Sequence, residues 1–515
     1  MKILFGIFEG NMNYATSILG NLAFELGWEV DCCYYSPNIS EDEIDNSLSK
    51  VKPDLVALSF MLFGRPQAFR AAKVARDRGI KVVAGGIHPS TCPDDLIRSG
   101  YFDSIVVGDG MGVFEDILRS YKHLEGEKIS GKRHPDIRKY VQRYFTENQI
   151  LQIKNIKSFD INTSFGCPYN CYFCSSNVSI KYFKLPVSLV VEELKKAEDQ
   201  FGIKRVVILD ETFTSSASRI RDFRRQLEKG NMRFSYSANT RLNCFNEKIA
   251  EELKMVGVED LYFGLETASP RLLEFLNKKI TVEDAYRARE LCRKYQFPFR
   301  LYLMVGLPTQ DESDYEVTLE FVKQTQPQAV SIYYFVPFPK THLYDYCLKN
   351  KYIPENSSFE CYLGLDTGSE RFKGYRETQG FLNKIDYEMA GYYKSEMEKI
   401  VDSTKEKNIM EGVNRAGKKK WILFGTGIYF YTVMEKISKY NLHNFLGYYD
   451  YDEKGFKGKT YYYNVQKYDY SKRAEKPEII VVTTHKESKL YTDVIYPLIR
   501  NTFDFTGKII SVSNY

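Results

Sequence analysis

Short apolar runs alternate with amphipathic segments along most of this 515-residue chain, and that alternation limits its fold more than any other feature. An apolar run can be buried on both faces of a sheet. The amphipathic stretch after it returns the chain across one face, so the repeated pair builds parallel βαβ units. In residues 1–120 the strand-like runs are KILFGIF (2–8), DLVALSF (54–60), KVVAGG (81–86) and DSIVVG (103–108). Helix-like stretches such as Tyr14–Leu26 and Pro66–Arg78 lie between them. Residues 121–155 are polar and charge-rich and read as a connector. From 156 the alternation resumes in longer units. The strands expected are SFDINTS (158–164), RVVILD (205–210), RFSYSAN (233–239), DLYFGLE (260–266), FRLYLMVG (299–306) and AVSIYYF (329–335). Helical patterns at 187–200, 216–229, 245–256, 281–295 and 311–325 separate them. A closed (β/α) barrel needs about eight such units, so six predict a partial barrel, open on one side.

Residues 340–410 read as polar and mostly helical, and NRAGKKK (414–420) as a linker. A last α/β unit follows, with strands in WILFGTG (421–427), NFLGYYD (444–450), EIIVVTT (478–484) and KIISVS (508–513). The expected fold is therefore α/β throughout. A Rossmann-like domain spans 1–125, a connector 126–155, the partial barrel 156–345, a mostly helical extension and linker 346–415, and a second Rossmann-like domain 416–515.

Composition removes several function classes. Lys+Arg minus Asp+Glu is 72 − 67 = +5 over the whole chain, which gives no footprint for nucleic acid. No run approaches the roughly 18–20 apolar residues of a membrane span. The opening MKILFGIFEG is broken by Glu9 and reads as a first strand, not a signal peptide. The expectation is a cytoplasmic protein. Ten cysteines are too few for a disulfide scaffold at this length. In a reducing compartment, cysteines that cluster are metal or redox candidates.

Three cluster: Cys167, Cys171 and Cys174 in GCPYNCYFCSS. The CxxxCxxC loop follows the first strand of the barrel region, where strand-end loops build active sites. Three thiolates can hold three irons of a 4Fe–4S cluster and leave the fourth iron open. A closed zinc site needs four ligands. Downstream the next Cys or His is Cys244, and upstream the nearest His is His134. A zinc or simple electron-transfer centre in a non-enzymatic protein is the competing reading.

TSFGCPYNCYFC, with the aromatic Phe173 before the third cysteine, resembles the radical SAM superfamily. The resemblance implies a six-unit partial barrel whose open iron binds S-adenosylmethionine. It extends to the strand ends. Asp210 and Glu211 in VVILDETFTSS match the acidic turn that meets the methionine amine. Asn239 and Arg241 in SANTR match contacts to ribose and carboxylate, and Glu266 in GLETAS a further polar contact. Gly306 in MVGLPTQDES matches the adenine-side turn. VPFPKTHLYD resembles a segment of one branch of the superfamily, with Lys340 where that segment usually has Gly.

That branch carries a cobalamin-binding domain before its barrel, and residues 1–125 fit one. Ser59, Gly85, Gly86 and Gly108, in LSFMLFG, AGGIHP and VVGDGMG, match positions lining the cobalamin nucleotide tail and corrin edge. The DxHxxG motif that supplies an axial histidine in many cobalamin proteins is absent; EGNMNYATSILGN stands there. His88 is expected to be a loop residue rather than a ligand, and Met61, Leu62 or Arg65 to cover the lower corrin face. Cys32, Cys33 and Cys92 read as small core hydrophobes, not as the second cluster of the related methylthiotransferases. In the last domain Gly425 and Gly427 at a strand-to-helix turn, with Asp450 ending the next strand, outline a weak nucleotide site, because Phe430 replaces the third glycine.

The resemblance implies a methyltransferase acting on an unactivated carbon of a small molecule, nucleotide-linked ones included. One S-adenosylmethionine methylates cob(I)alamin. A second is cleaved to the 5′-deoxyadenosyl radical, which abstracts hydrogen, and the substrate radical takes methyl from methylcobalamin. An external flavodoxin- or ferredoxin-type donor supplies electrons. The alternatives are a non-methylating cyclase, ring-contracting or rearrangement enzyme on the same scaffold, and a radical enzyme whose first domain holds no cobalamin.

Overall fold

The structure is a computed structural model. It describes residues 1–8, 14–36, 38–353, 382–416, 421–425, 445–450, 479–482 and 508–511. The chain divides into two compact units, Met1–Thr318 with Ser331–Lys394, and Leu319–Val330 with Ser395–Tyr515.

The first unit holds two large sheets. Strands β1 (Lys2–Ile7), β2 (Glu29–Tyr34), β3 (Leu55–Ser59), β4 (Lys81–Gly85), β5 (Ser104–Val107) and β6 (Glu127–Ser130) form the first, in the order β2-β1-β3-β4-β5-β6. All its neighbours are parallel. Its centre is apolar on both faces: Ile3, Leu4, Leu55, Val56, Val82 and Ile105 are fully buried. The winding reverses between β1 and β3, which opens a crevice at the carboxyl ends of those strands.

Both edge strands escaped the sequence reading. Strand β2 contains Glu29 and Asp31, and β6 is almost wholly exposed. An edge strand has one neighbour and needs no long apolar run. Strand β6 therefore draws the start of the expected connector, 126–155, into the first sheet.

The second sheet carries every strand expected of the barrel. After β7 (Ser158–Ile161) come two short strands, β8 (Ser164–Phe165) and β9 (Phe183–Lys184), then β10 (Arg205–Ile208), β11 (Ser235–Thr240), β12 (Val258–Glu266), β13 (Phe299–Val305) and β14 (Ala329–Tyr334). The sheet order is β14-β13-β12-β11-β10-β7. Strands β8 and β9 pair antiparallel with each other. Helices such as Val187–Phe201, Ala217–Lys229, Glu247–Val256 and Val282–Tyr295 connect the large strands.

In the second unit β15 (Trp421–Gly425), β16 (Phe445–Asp450), β17 (Ile479–Val482) and β18 (Lys508–Ser511) form a parallel sheet in the order β16-β15-β17-β18. Gly425 pairs in register with Asp450. Gly427 and Phe430 lie outside the described residues. The helix Tyr387–Ala416 takes in the first residues of the stretch expected to be a linker. Among the described residues no helix is long and apolar enough to cross a membrane.

Candidate cofactor site

The cysteine loop is clamped at its neck. Pairing of β8 with β9 brings Phe165 opposite Phe183, so residues 166–182 form a closed excursion. Gly166 sits at φ +68°, and a Cβ there would lie 2.6 Å from the Ile180 carbonyl oxygen; only glycine fits. Asp210, at the end of β10, accepts from the Thr163 and Ser164 amides at 2.6 and 3.1 Å and from both hydroxyls at 2.6 Å. Its oxygens are thus committed to the loop entrance. Glu211, the next residue, is exposed and bonds Ser176 on the cysteine side.

The three thiols lie half-buried within reach of one another's charge. Burial raises Cys167 and lifts Cys174 to about 11, and Glu211 and Cys171 raise both further. One cation opposes this: Arg241 Nη1 donates to Cys171 Sγ at 3.2 Å. Three soft sulfurs on one short loop, two of them with ionisation disfavoured by burial until positive charge arrives, fit a polynuclear iron centre.

Arg241 is buried and is fixed from three sides. It also donates to the Lys278 carbonyl and stacks 4.0 Å from the Tyr169 ring centroid, and the Tyr169 hydroxyl lies 2.7 Å from Cys244 Sγ. Glu266 closes β12 at φ +72° and receives Lys278 Nζ at 2.6 Å. That ammonium lies 5.4 Å from the Phe173 ring centroid. A Cβ at Gly264 would lie 2.7 Å from the Glu266 carboxylate and 2.9 Å from Lys278 Nζ, so this glycine makes room for the pair. Asn239 is half-buried at the end of β11, where its carbonyl accepts from Phe213 at 3.1 Å. Gly306 stands apart at the end of β13, with φ +74° and its N–H on the Tyr315 hydroxyl at 3.0 Å.

Lys278 and Tyr169 were not among the residues singled out from sequence. Asn277, Lys278 and Lys279 resemble a solvated turn. Yet Asn277 donates to the Asn170 carbonyl at 2.7 Å and Tyr172 N–H to Leu276 at 3.0 Å, folding that turn onto the cysteine loop.

At the first sheet, Ser59 pairs in register with Gly85. Gly86 has φ +98°, and a Cβ there would lie 2.9 Å from the Phe60 backbone and 3.1 Å from Ser59 Oγ. Gly108, at φ +104°, donates its N–H to Ser90 Oγ at 3.0 Å. The four predicted positions thus gather at the ends of β3, β4 and β5.

His88 departs from expectation. The glycine turn runs directly into a helix, Ile87–Thr91, so His88 is no loop residue. It is buried and its Nε2 lies 3.0 Å from Asp95 Oδ2. Asp95 also accepts from Arg65 at 2.7 and 3.0 Å. Burial raises the Asp95 carboxyl, but His88 and Arg65 outweigh it and hold it at about 2. Arg65 is held there and against Phe69, and Leu62 is buried; of the three residues expected over the lower corrin face, only Met61 is exposed. Cys92 is buried, as expected of a core residue, whereas Cys32 and Cys33 are half-buried on the edge strand β2.

The two strand-end regions touch. The helix Ile87–Thr91 lies against the helix Ser176–Ser179 that leaves the cysteine loop. Lys340, beyond β14 and at φ +64°, donates to the Ser90 carbonyl at 2.6 Å. The Phe63 and Phe338 rings meet edge-on at 6.3 Å.

Residues 161–322 match the radical SAM superfamily and residues 13–118 the B12 binding domain. An uncharacterised methyltransferase of Pyrococcus horikoshii is 28% identical over 61% of this chain and 74% of its own. The anaerobic magnesium-protoporphyrin IX monomethyl ester cyclase of Rubrivivax gelatinosus is 22% identical over 60% of each chain. The bacteriochlorophyllide d C-12(1)-methyltransferase of Chlorobaculum tepidum is 24% identical over 57% of this chain and 65% of its own. The chain thus spans less than two thirds of these last two relatives. In fold it is similar to the radical S-adenosylmethionine methyltransferase TsrM of Kitasatospora setae, solved with cobalamin and a 4Fe–4S cluster (TM-score 0.57, 17% identity, 69% of this chain and 79% of that one). It is also similar to the cobalamin-dependent S-adenosylmethionine radical enzyme OxsB (TM-score 0.53, 18% identity, 68% and 55%). With a B12 binding domain ahead of a radical SAM domain, the chain belongs to the cobalamin-dependent branch of the radical SAM enzymes, whose cofactors are a 4Fe–4S cluster, S-adenosylmethionine and cobalamin.

Proposed function

We propose that this protein transfers a methyl group to an unactivated carbon of a small-molecule substrate. The observation that carries the reading is the contact of the helix after Gly85-Gly86 with the helix after Cys174. It sets the cobalamin-side turn beside the cysteine loop, so that a methyl carrier and a radical source can serve one substrate. The methyltransferases of Pyrococcus and Chlorobaculum among the relatives support it.

When bound, the cluster, S-adenosylmethionine and cobalamin supply the electron, the hydrogen-abstracting radical and the methyl carrier. The chain's residues position them. Cys167, Cys171 and Cys174 hold three irons, and Arg241 offsets the sulfur charge at Cys171. Asp210 keeps the loop in shape, leaving Glu211 to face the methionine amine. Phe173, Asn239 and Glu266 would complete the S-adenosylmethionine pocket, with Lys278 orienting Glu266, and the Gly306 turn would meet the adenine from the end of β13. Ser59, Gly85, Gly86 and Gly108 line the cobalamin cleft, and their short or absent side chains admit its tail. A small-molecule substrate and an external reductant of flavodoxin or ferredoxin type complete the reaction.

A second reading, cyclisation or rearrangement without methyl transfer, draws support from the cyclase of Rubrivivax. One experiment separates the two. Protein reconstituted without oxygen, offered hydroxocobalamin and desalted, is assayed for iron, sulfide, cobalamin and products of S-adenosylmethionine. About four irons with stoichiometric cobalamin, and both 5′-deoxyadenosine and S-adenosylhomocysteine formed, is the expected result. Four irons and 5′-deoxyadenosine without S-adenosylhomocysteine would favour the cyclase-type reading.

A further inference from the structure

The barrel sheet has two unlike faces. On β13 the alternate residues Phe299, Leu301, Leu303 and Val305 are buried, whereas Arg300, Tyr302 and Met304 are partly open. Side chains alternate along a strand, and Phe299 packs with Phe263 of β12, itself against Phe245 beside the helix Glu247–Val256. The helices therefore cover the phenylalanine face, and Tyr302 points to the barrel interior.

Three tyrosines share that interior face. Tyr262 of β12 and Tyr302 of β13 stack at 5.7 Å and 20°. Tyr302 and Tyr333 of β14 lie 6.3 Å apart at 36°. Tyr333 is 41% exposed. Below them Asp260 bridges Arg205 at 3.4 Å and Arg300 at 3.0 Å, closing the floor with one carboxylate held between two guanidiniums. Above them lies the cofactor end, because the Tyr302 phenol lies within range of the Glu266 charge, and Glu266 holds Lys278 over Phe173.

We infer that Tyr262, Tyr302 and Tyr333 form the wall of the substrate site, and that its substrate presents a flat, electron-rich π system to them. The inference rests on the radical-enzyme reading above and names the substrate class of that site. Rings stacked across neighbouring strands turn their edges and hydroxyls, not their faces, toward the interior. Ring edges carry partial positive charge, and the complementary surface is the π face of a planar ring meeting them edge-to-face. A saturated molecule of equal size would gain only the burial of its area. The hydroxyls add donors for heteroatoms on the ring.

The test compares 2-naphthoate with its saturated counterpart, decahydro-2-naphthoate, by equilibrium dialysis against the full chain with and without its cofactors. Edge-to-face contacts predict that naphthoate binds roughly three- to tenfold more tightly. The preference falls to near unity in Tyr302→Leu and Tyr262→Leu and survives in Tyr302→Phe, with thermal melting showing each variant folded. Equal binding of both probes to the parent, or a preference unchanged in both leucine variants, overturns the inference. Iron and cobalamin content of the same samples keeps the two readings apart. A loaded protein without π preference defeats only the substrate class, and a protein that loads no cluster defeats the radical-enzyme reading itself.

Discussion

The two sheets of the first unit are both largely parallel, yet they bury their side chains by different rules. In the first, β1 and β3 are buried at nearly every position, because helices cover both faces. In the second, β13 alternates strictly between buried and half-buried residues, because its helices cover one face. A doubly covered sheet has no free face, so its ligand must go to the strand ends, at the winding reversal beside β1 and β3. A singly covered, curling sheet keeps a free interior, and chemistry can be placed both on its strand ends and inside it. Ser59, Gly85, Gly86 and Gly108 are all strand-end backbone positions. The barrel adds Asp260, Tyr262, Arg300 and Tyr302 within its strands.

If the division is right, each region can be disabled alone. Replacing Cys171 by Ala should abolish iron binding and 5′-deoxyadenosine formation while retained cobalamin stays unchanged; iron assay and cobalamin absorbance check both halves. Gly86→Val should do the reverse. A side chain at φ +98° against the Phe60 backbone strains the turn, so cobalamin retention should fall at least about tenfold at unaltered iron content. Within the barrel, the two faces should differ in stability. Leu301→Ala opens a cavity in the covered face and should cost about 2–5 kcal/mol. Tyr302→Leu on the free face should cost under about 1 kcal/mol, read as a much smaller shift of the melting transition.

The two regions also differ in the sign of their pH dependence. Asp95, in the first region, has its carboxyl lowered from 3.8 to about 2. Its contribution, about 2 kcal/mol, is complete above about pH 4 and is lost as pH falls toward 2. Glu193, on the barrel helix Val187–Phe201, is raised from 4.5 to about 7 by burial, against the pull of Arg143. A raised carboxyl favours the protonated folded state, so its contribution is present at low pH and is lost as pH rises through 7. Melting temperatures across pH 5–7.5 should therefore fall for the parent relative to Glu193→Gln. Between pH 4 and 2 they should fall for the parent relative to Asp95→Asn.

Much of the site was legible because its elements are local. CxxxCxxC lies on one loop, the Gly85-Gly86 pair announces a turn, and all six barrel strands carry their own apolar pattern. What escaped depends on partners far along the chain. Lys278 looks like a surface lysine until β12 brings Glu266 under it. His88 looks like part of a turn until Asp95 and Arg65 close on it. Strands β2 and β6 lack an apolar run because each has a single neighbour.

From the order of residues alone follow the alternation of strand and helix, the six units of an unclosed barrel, and the three thiols on the loop after its first strand. Hydrophobic period and short-range spacing suffice for those features, since both act between residues close in the chain. Which barrel tyrosines face inward, and which cation meets Cys171, became settled in the folded chain. So did the contact between the helix after the glycine turn of the first sheet and the helix after the cysteine loop of the second. These are contacts between residues tens to hundreds of positions apart, fixed by sheet register and curl, and register is settled only when every strand has found its neighbour.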